Sequence, residues 1–214
     1  MQVDGPHTEE EVLLFRKALE RNTTLLTVLS RASTLNLPNW YLAAGSVTQT
    51  VWNMVTDRPA ETGIDDYDLV YFDDTDLSWE AEDTMIQRGH RLFADLSTRI
   101  EIRNQARVHL WYEQKFGVPC PCQHTSTEGA IRTWLSGTAL IGVRLVPPGE
   151  EWKVFAPWGL ADILSLTVRP NPSSGNKMMY EKKVARWLQI WPTLKVIPWP
   201  KSEQFGEQEL ETNT

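Results

Sequence analysis

The sequence predicts an α+β domain in which one mixed β-sheet is flanked by helices. Three observations lead there. Apolar residues recur every three to four positions in some stretches and alternate with period two in others. Gly, Pro and Asn punctuate the boundaries between those stretches. The composition, 41% hydrophobic and 23% charged over 214 residues, is that of a soluble globular chain. At this size a chain buries roughly 70% of its unfolded surface, so neither disulfides nor a structural metal is needed to hold a core. Residues 1–200 read as a single domain with an N-terminal helix and a C-terminal helical extension. Residues 201–214 are polar with little to bury and read as a disordered tail.

In chain order, Thr8 and Glu11 form a capping-box pattern ahead of Val12, Phe15, Leu19, Leu25, Val28 and Leu29, whose spacing predicts a helical first segment. After the Pro38-Asn39 turn, WYLAAG reads as a short buried strand. Gly45-Ser46 then opens the helix SVTQTVWNMV, with Ser46 and Gln49 placed as a second capping box. The polar stretch TDRPAETGIDD, which carries Pro59 and Gly63, reads as a loop before the strand DYDLVYFD. Residues Asp76 to Leu96 read as a helix. A half-buried strand follows, with Arg99, Glu101 and Arg103 on one face and Ile100 and Ile102 on the other. Thr125 and Glu128 are placed to cap a helix ending near Gly137. TALIGVRLVPPGEEWKVFAP reads as two strands around a Pro-Pro-Gly turn. GLADILSLTV reads as a short helix, RPNPSSGNK as a loop and Tyr180 to Trp191 as a last helix. The sheet so assembled has roughly five strands.

Charge and cysteine usage narrow the setting. The 21 Lys+Arg against 28 Asp+Glu give a net charge of -7, which leaves no basic field for phosphate backbones and disfavours extended nucleic acid as a partner. No apolar run approaches the roughly 20 residues that span a bilayer, so no membrane association is expected. The acidic start MQVDGPHTEEE lacks the regions of a signal peptide. Cys120 and Cys122 lie too close together to close a useful loop, as expected in a reducing compartment, the cytosol or the nucleus.

The chemistry concentrates in three places. Asp66 and Asp68 are two apart on one strand, so both carboxylates project to the same side, and two like charges held together call for a cation. Glu101, between Ile100 and Ile102, offers a third carboxylate. An all-oxygen cluster of this kind suits Mg²⁺ or Mn²⁺ completed by substrate phosphate oxygens. Gly45 permits close backbone approach, and Ser46 starts a helix whose free N–H groups and dipole favour an anion. Together these parts describe metal-assisted phosphoryl transfer. Plainer readings stand beside each one: Ser46 as a simple N-cap, Glu101 as the ion-pair partner of Arg99 or Arg103. Arg107 is equally suited to hold a triphosphate oxygen or to form an ion pair. His109 reads more readily as a core histidine than as a catalytic one. Trp52, Trp134 and Trp187 sit at helical positions and read as core, which leaves Trp111 and Trp158 as the better candidates for stacking on a base. Cys120, Cys122 and His124 offer only three ligands among two prolines, and no zinc site is assigned.

The order of these motifs resembles the DNA polymerase β-type nucleotidyltransferase superfamily: a Gly-Ser turn, a D-x-D strand, then a strand with a third acidic residue. More closely, the chain is similar to a nucleotidyltransferase-like family of unknown substrate. The blocks AAGSVTQTVWNMV, IDDYDLVYFDDTDLSWEAE, IEIRNQARVHLWY, GVRLVPPGEEWKVFAPWGLADI and VRPNP carry the likeness over roughly residues 40 to 172. The resemblance implies the nucleotidyltransferase-like sheet, with Gly45 and Ser46 at the phosphates, Asp66 and Asp68 on the metals, and Glu101 as third ligand or base. It further implies a Mg²⁺- or Mn²⁺-dependent enzyme that transfers a nucleotide from an NTP to an acceptor hydroxyl, releasing pyrophosphate, and the acidic net charge favours a small-molecule or protein acceptor. The alternative is a catalytically weak nucleotide-binding or regulatory protein that keeps the fold. No G-x-x-x-x-G-K-[ST] loop or G-x-G-x-x-G turn occurs, and the oligomeric state is not legible.

Overall fold

A computed structural model describes residues 1–117, 119–120, 123–146 and 151–200. The chain opens with β1 (Gln2–Asp4), α1 (Glu9–Glu20) and α2 (Thr23–Ala32), followed by β2 (Tyr41–Ala43) and α3 (Gly45–Val55). Next come β3 (Asp66–Tyr71), α4 (Trp79–Leu92) and β4 (Arg99–Asn104). A 3-10 turn at Gln105–Leu110 leads to α5 (Tyr112–Phe116) and α6 (Thr127–Ile131). The remainder is β5 (Gly142–Val146), β6 (Glu151–Phe155), α7 (Ala161–Leu164), β7 (Thr167–Val168), α8 (Lys177–Ile190) and β8 (Lys195–Val196). Six strands form one mixed sheet in the order β1-β6-β5-β2-β3-β4, and β7 and β8 pair separately. The β1/β6 and β3/β4 pairs are parallel, and the other neighbours in the six-stranded sheet are antiparallel.

Alternation along the strands divides the molecule into two faces. Leu42, Tyr67, Leu69, Tyr71, Ile102, Val143 and Val154 point into the main core, where the apolar stripes of the helices meet them, for instance Phe15 and Leu19 of α1 and Val47 and Val51 of α3. Tyr41, Ala43, Val70 and Phe155 point the other way and pack with Ile131 and Leu140 in a smaller cluster. The odd-even rule therefore puts Asp66 and Asp68 on the same side as Val70, away from the main core.

Several expectations hold in detail. Thr8 Oγ1 accepts from the Glu11 N–H at 3.2 Å while Glu11 Oε2 accepts from the Thr8 N–H at 2.8 Å, a complete capping box. β5 and β6 pair antiparallel as expected, but the Pro-Pro-Gly turn between them lies outside the described residues, as do Cys122 and the 201–214 tail.

Others are corrected. Among the described residues the sheet has six strands rather than five, because the acidic start contributes β1, whose three residues are too short to show a period. The first helical segment breaks in two at Asn22, whose Oδ1 caps α2 through the Leu25 N–H at 2.9 Å. The helix expected from Asp76 starts later. Asp76 Oδ1 accepts from the Ser78 N–H, and Ser78 is the N-cap. The cap expected at Thr125 belongs to Ser126, whose Oγ accepts from the Gly129 N–H at 2.9 Å, and α6 ends at Ile131 rather than near Gly137. The Ser46/Gln49 capping box does not form. Ala44 is the N-cap of α3, no side chain caps it, and Ser46 Oγ instead donates to Ala43 O at 3.4 Å.

Candidate active site

Register places the carboxylates. In the parallel β3/β4 pair Asp68 faces Glu101 and Asp66 faces Arg99, while the antiparallel β2/β3 pair sets Ala43 beside Asp68. One oxygen from each of Asp66, Asp68 and Glu101 lies within 4.8 Å of the others. The strand before α3 and the two acidic strands are thus direct neighbours in the sheet. The polar loop leading into β3 is held from α3, whose buried Asn53 donates through Nδ2 to Ala60 O at 3.0 Å and to Thr62 O at 2.9 Å.

The three like charges cost free energy as they stand. Burial first, and then the neighbouring Asp66, push the Asp68 carboxyl up to about 7, with Glu101 adding to the rise. Arg99 answers part of this. Its Nη2 donates to Asp66 Oδ2 and lies 3.1 Å from Glu101 Oε1. Arg103 Nη2 stands 3.9 Å from Glu101 Oε2. The ion-pair partners considered for Glu101 are therefore both in place, alongside the cluster. An all-carboxylate set converging on one point, with Asp68 pushed toward its neutral form by burial and by its acidic neighbours, fits a hard divalent ion with Asp66, Asp68 and Glu101 as ligands.

The cluster borders a cavity of about 250 Å³. Ala44, Asp68, Glu101, Trp111, Tyr112 and Phe116 are among the residues that line it. The turn into α3 carries its unusual backbone at Ala44, with φ 56° and ψ -127°, a conformation that side chains strain to adopt. Gly45 itself lies outside the left-handed region, and its amide begins the α3 N-terminus, next in the chain to the strand that pairs with Asp68. Ser46 is buried.

The other sequence candidates are placed as follows. Arg107 is buried away from the cavity: its guanidinium pairs with the buried Glu82, donates from Nε to Leu77 O at 3.0 Å and lies over the Trp79 ring. Of its two open readings, the structure forms the ion pair. Trp158 packs at Gly137 rather than on the cavity. Trp52 and Trp187 are core as expected, whereas Trp134, beyond the end of α6, is only partly buried and lines the cavity. His124 lines the cavity, and burial together with the neighbouring His109 pushes its imidazole pKa down.

Among the cavity residues that the sequence reading did not single out, Lys183 bears most directly on the carboxylates. Lys183 of α8 lines the cavity together with Asp68, and burial pushes its ammonium pKa down against the upward pull of that carboxylate. Asn176, Met179 and Lys183 recur at three- and four-residue spacing along one edge of the helix, next to the buried stripe Tyr180, Val184 and Trp187. A lysine on that edge was the available signal. What α8 faces was not.

A family model described as nucleotidyltransferase matches residues 30–196 of the chain. No curated protein matches the sequence. A solved NMR structure, described as revealing a CCA-adding enzyme head domain, superposes with a TM-score of 0.71 at 24% identity, covering 90% of this chain and 97% of that one. At that identity the likeness is one of fold.

Proposed function

The chain belongs to the nucleotidyltransferase family, and on that premise we propose that it transfers a nucleotide from an NTP to an acceptor hydroxyl, releasing pyrophosphate, with Mg²⁺ or Mn²⁺ held by Asp66, Asp68 and Glu101. The observation that carries the reading is the convergence of those three carboxylates at the edge of a cavity, next to the N-terminus of α3. A divalent ion in that place supplies charge neutralisation at the α-phosphate and a lowered pKa for the attacking hydroxyl. The chain's own groups do the rest. The first amides of α3, from Gly45 and Ser46, carry the partial positive charge of a helix N-terminus and suit phosphate oxygens. Lys183 is a basic side chain in the same lining, within electrostatic reach of Asp68. Arg107 is left out of the site, since Glu82 and Leu77 O already engage it.

The acceptor is a small molecule or a protein, in keeping with the net charge of -7. Arg99, bridging Asp66 and Glu101, favours a second reading in which the cluster is a resting ion-pair network of a nucleotide-binding protein with little turnover. Pyrophosphate release from each NTP, measured with pooled acceptors and Mg²⁺ or Mn²⁺, separates the two. The transferase reading expects metal-dependent release that falls by at least a hundredfold in Asp68→Asn, in line with the several kcal/mol such electrostatic stabilisation provides. Metal-dependent NTP binding without release supports the second reading.

A further inference from the structure

One wall of the cavity is accounted for by neither the fold nor the phosphate chemistry. Trp111, Tyr112 and Phe116 stand at the start of α5 and along it, a five-residue helix that buries none of its residues. Among the described residues, none of the three joins either buried hydrophobic cluster or packs against one, yet all three line the cavity. They hold one another, with ring centroids 6.2 Å apart for Trp111 and Phe116 and 4.7 Å for Tyr112 and Phe116. Lys115 Nζ lies 5.1 Å from the centroid of the Trp111 ring and 5.5 Å from that of Phe116. Large aromatic side chains stabilise a fold chiefly through the area they bury. Three left half-buried around an open cavity contribute little in that way and offer flat faces to whatever enters.

We propose that Trp111, supported by Tyr112 and Phe116, is a stacking subsite for the nucleobase of the incoming nucleotide. The proposal rests on the transferase reading above, which sets the triphosphate at the carboxylates that line the same cavity. Two kinds of ligand favour an aromatic wall, a planar ring and an organic cation. The charges choose between them. Arg103, Lys115 and Lys183 line the cavity, and Lys115 already occupies the cation's place over the indole. A divalent ion held by the three carboxylates would cancel most of their charge, and the basic side chains of the lining then disfavour a cationic ligand. A neutral base attached to an anionic phosphate chain suits both the rings and the cations. Lys115 is exposed, so its contact with the ring is weak and easily exchanged for a base.

The test compares wild type with Trp111→Ala in binding to each of the four Mg·NTPs and to Mg·tripolyphosphate, which has the charge and no base. Stacking predicts that the affinity of the best-bound NTP falls about tenfold or more in the variant, as base–aromatic contacts generally do. Tripolyphosphate affinity should be unchanged, and Trp111→Phe should recover most of the loss. Matching thermal melts of variant and wild type exclude unfolding as the cause. If wild type binds both probes and Trp111→Ala loses neither, or both equally, the subsite is overturned while the transferase reading stands. If wild type binds neither probe, both are overturned.

Discussion

The chain uses tryptophan in two places for opposite purposes. Behind the sheet, Trp52 of α3 meets Trp187 and Trp191 edge-on, each pair with centroids 5.2 Å apart, and all three are at most 2% exposed. Trp191 Nε1 donates to Asn53 Oδ1 at 3.0 Å, and that asparagine also holds the loop running into β3. This group locks the C-terminal helix α8 onto α3, and in doing so brings Lys183 to the cavity. On the other face, Trp111 and its two aromatic neighbours stand at the start of and along a short helix none of whose residues is buried. The same residue type is structural where it is enclosed and available where it is not. Burial is the difference, and composition does not report it.

The largest expected effect breaks the enclosed group. Trp52→Ala removes a fully buried ring from between two others and should cost about 3–5 kcal/mol in urea unfolding, with nucleotide binding lost as α8 loosens. Trp111→Ala, by contrast, should stay within about 1 kcal/mol of wild type by the same measurement. A loss at Trp111 comparable to that at Trp52 would erase the distinction drawn here.

A second prediction concerns pH in metal-free, chelator-treated protein. The Asp68 carboxyl is raised to about 7 in the folded state from 3.8, so the fold binds its proton more tightly than the unfolded chain does. Stability from this group is complete below pH 4 and is lost as pH rises through about 7. Asp66, Glu101, Arg99 and Lys183 are the charged groups facing it. Replacing it by Asn removes the titration. Asp68→Asn and wild type should therefore differ little at pH 4, while above pH 7 the variant should be the more stable by roughly 1–3 kcal/mol, the shift reduced for partial solvent access. Denaturant melts at the two pH values check this, and a variant less stable than wild type at high pH would contradict it.

The smallest effect is expected at Gly45. A methyl group there would sit 3.3 Å from Gln49 Nε2, the free end of a flexible side chain, and no left-handed φ stands in its way. Gly45→Ala should change stability by less than about 1 kcal/mol. If the α3 amides cradle the triphosphate, its Mg·tripolyphosphate affinity should fall by more than that stability change. Unchanged affinity, read by titration on the folded variant, would leave the turn a plain helix start.

Much of this architecture is local and therefore legible. Thr8 and Glu11 announce their capping box because both partners lie within one turn. The two-residue spacing of Asp66 and Asp68 fixes their common face on any strand. Ile100 and Ile102 assign Glu101 to the opposite face from the core. The resemblance to known transferases placed these strands side by side, and the β3/β4 register puts Asp68 opposite Glu101.

What the sequence left open depends on partners distant along the chain. β1 exists because β6 supplies its ladder, and three residues carry no pattern of their own. Arg107 had two plausible roles until packing set the buried Glu82 against its guanidinium. The strain at the α3 turn falls on Ala44 rather than Gly45 because the Ala44 amide donates to Ile141 O while its carbonyl accepts from Thr48 N–H, which fixes the backbone from both sides. Lys183 reads as one more charged residue on a helix until the tryptophan cluster sets α8 against the sheet. Local spacing thus determined the elements and the faces on which the carboxylates stand. Only tertiary packing decided which charges and rings meet them, because burial and electrostatic partnership are properties of distances that one-dimensional order does not contain.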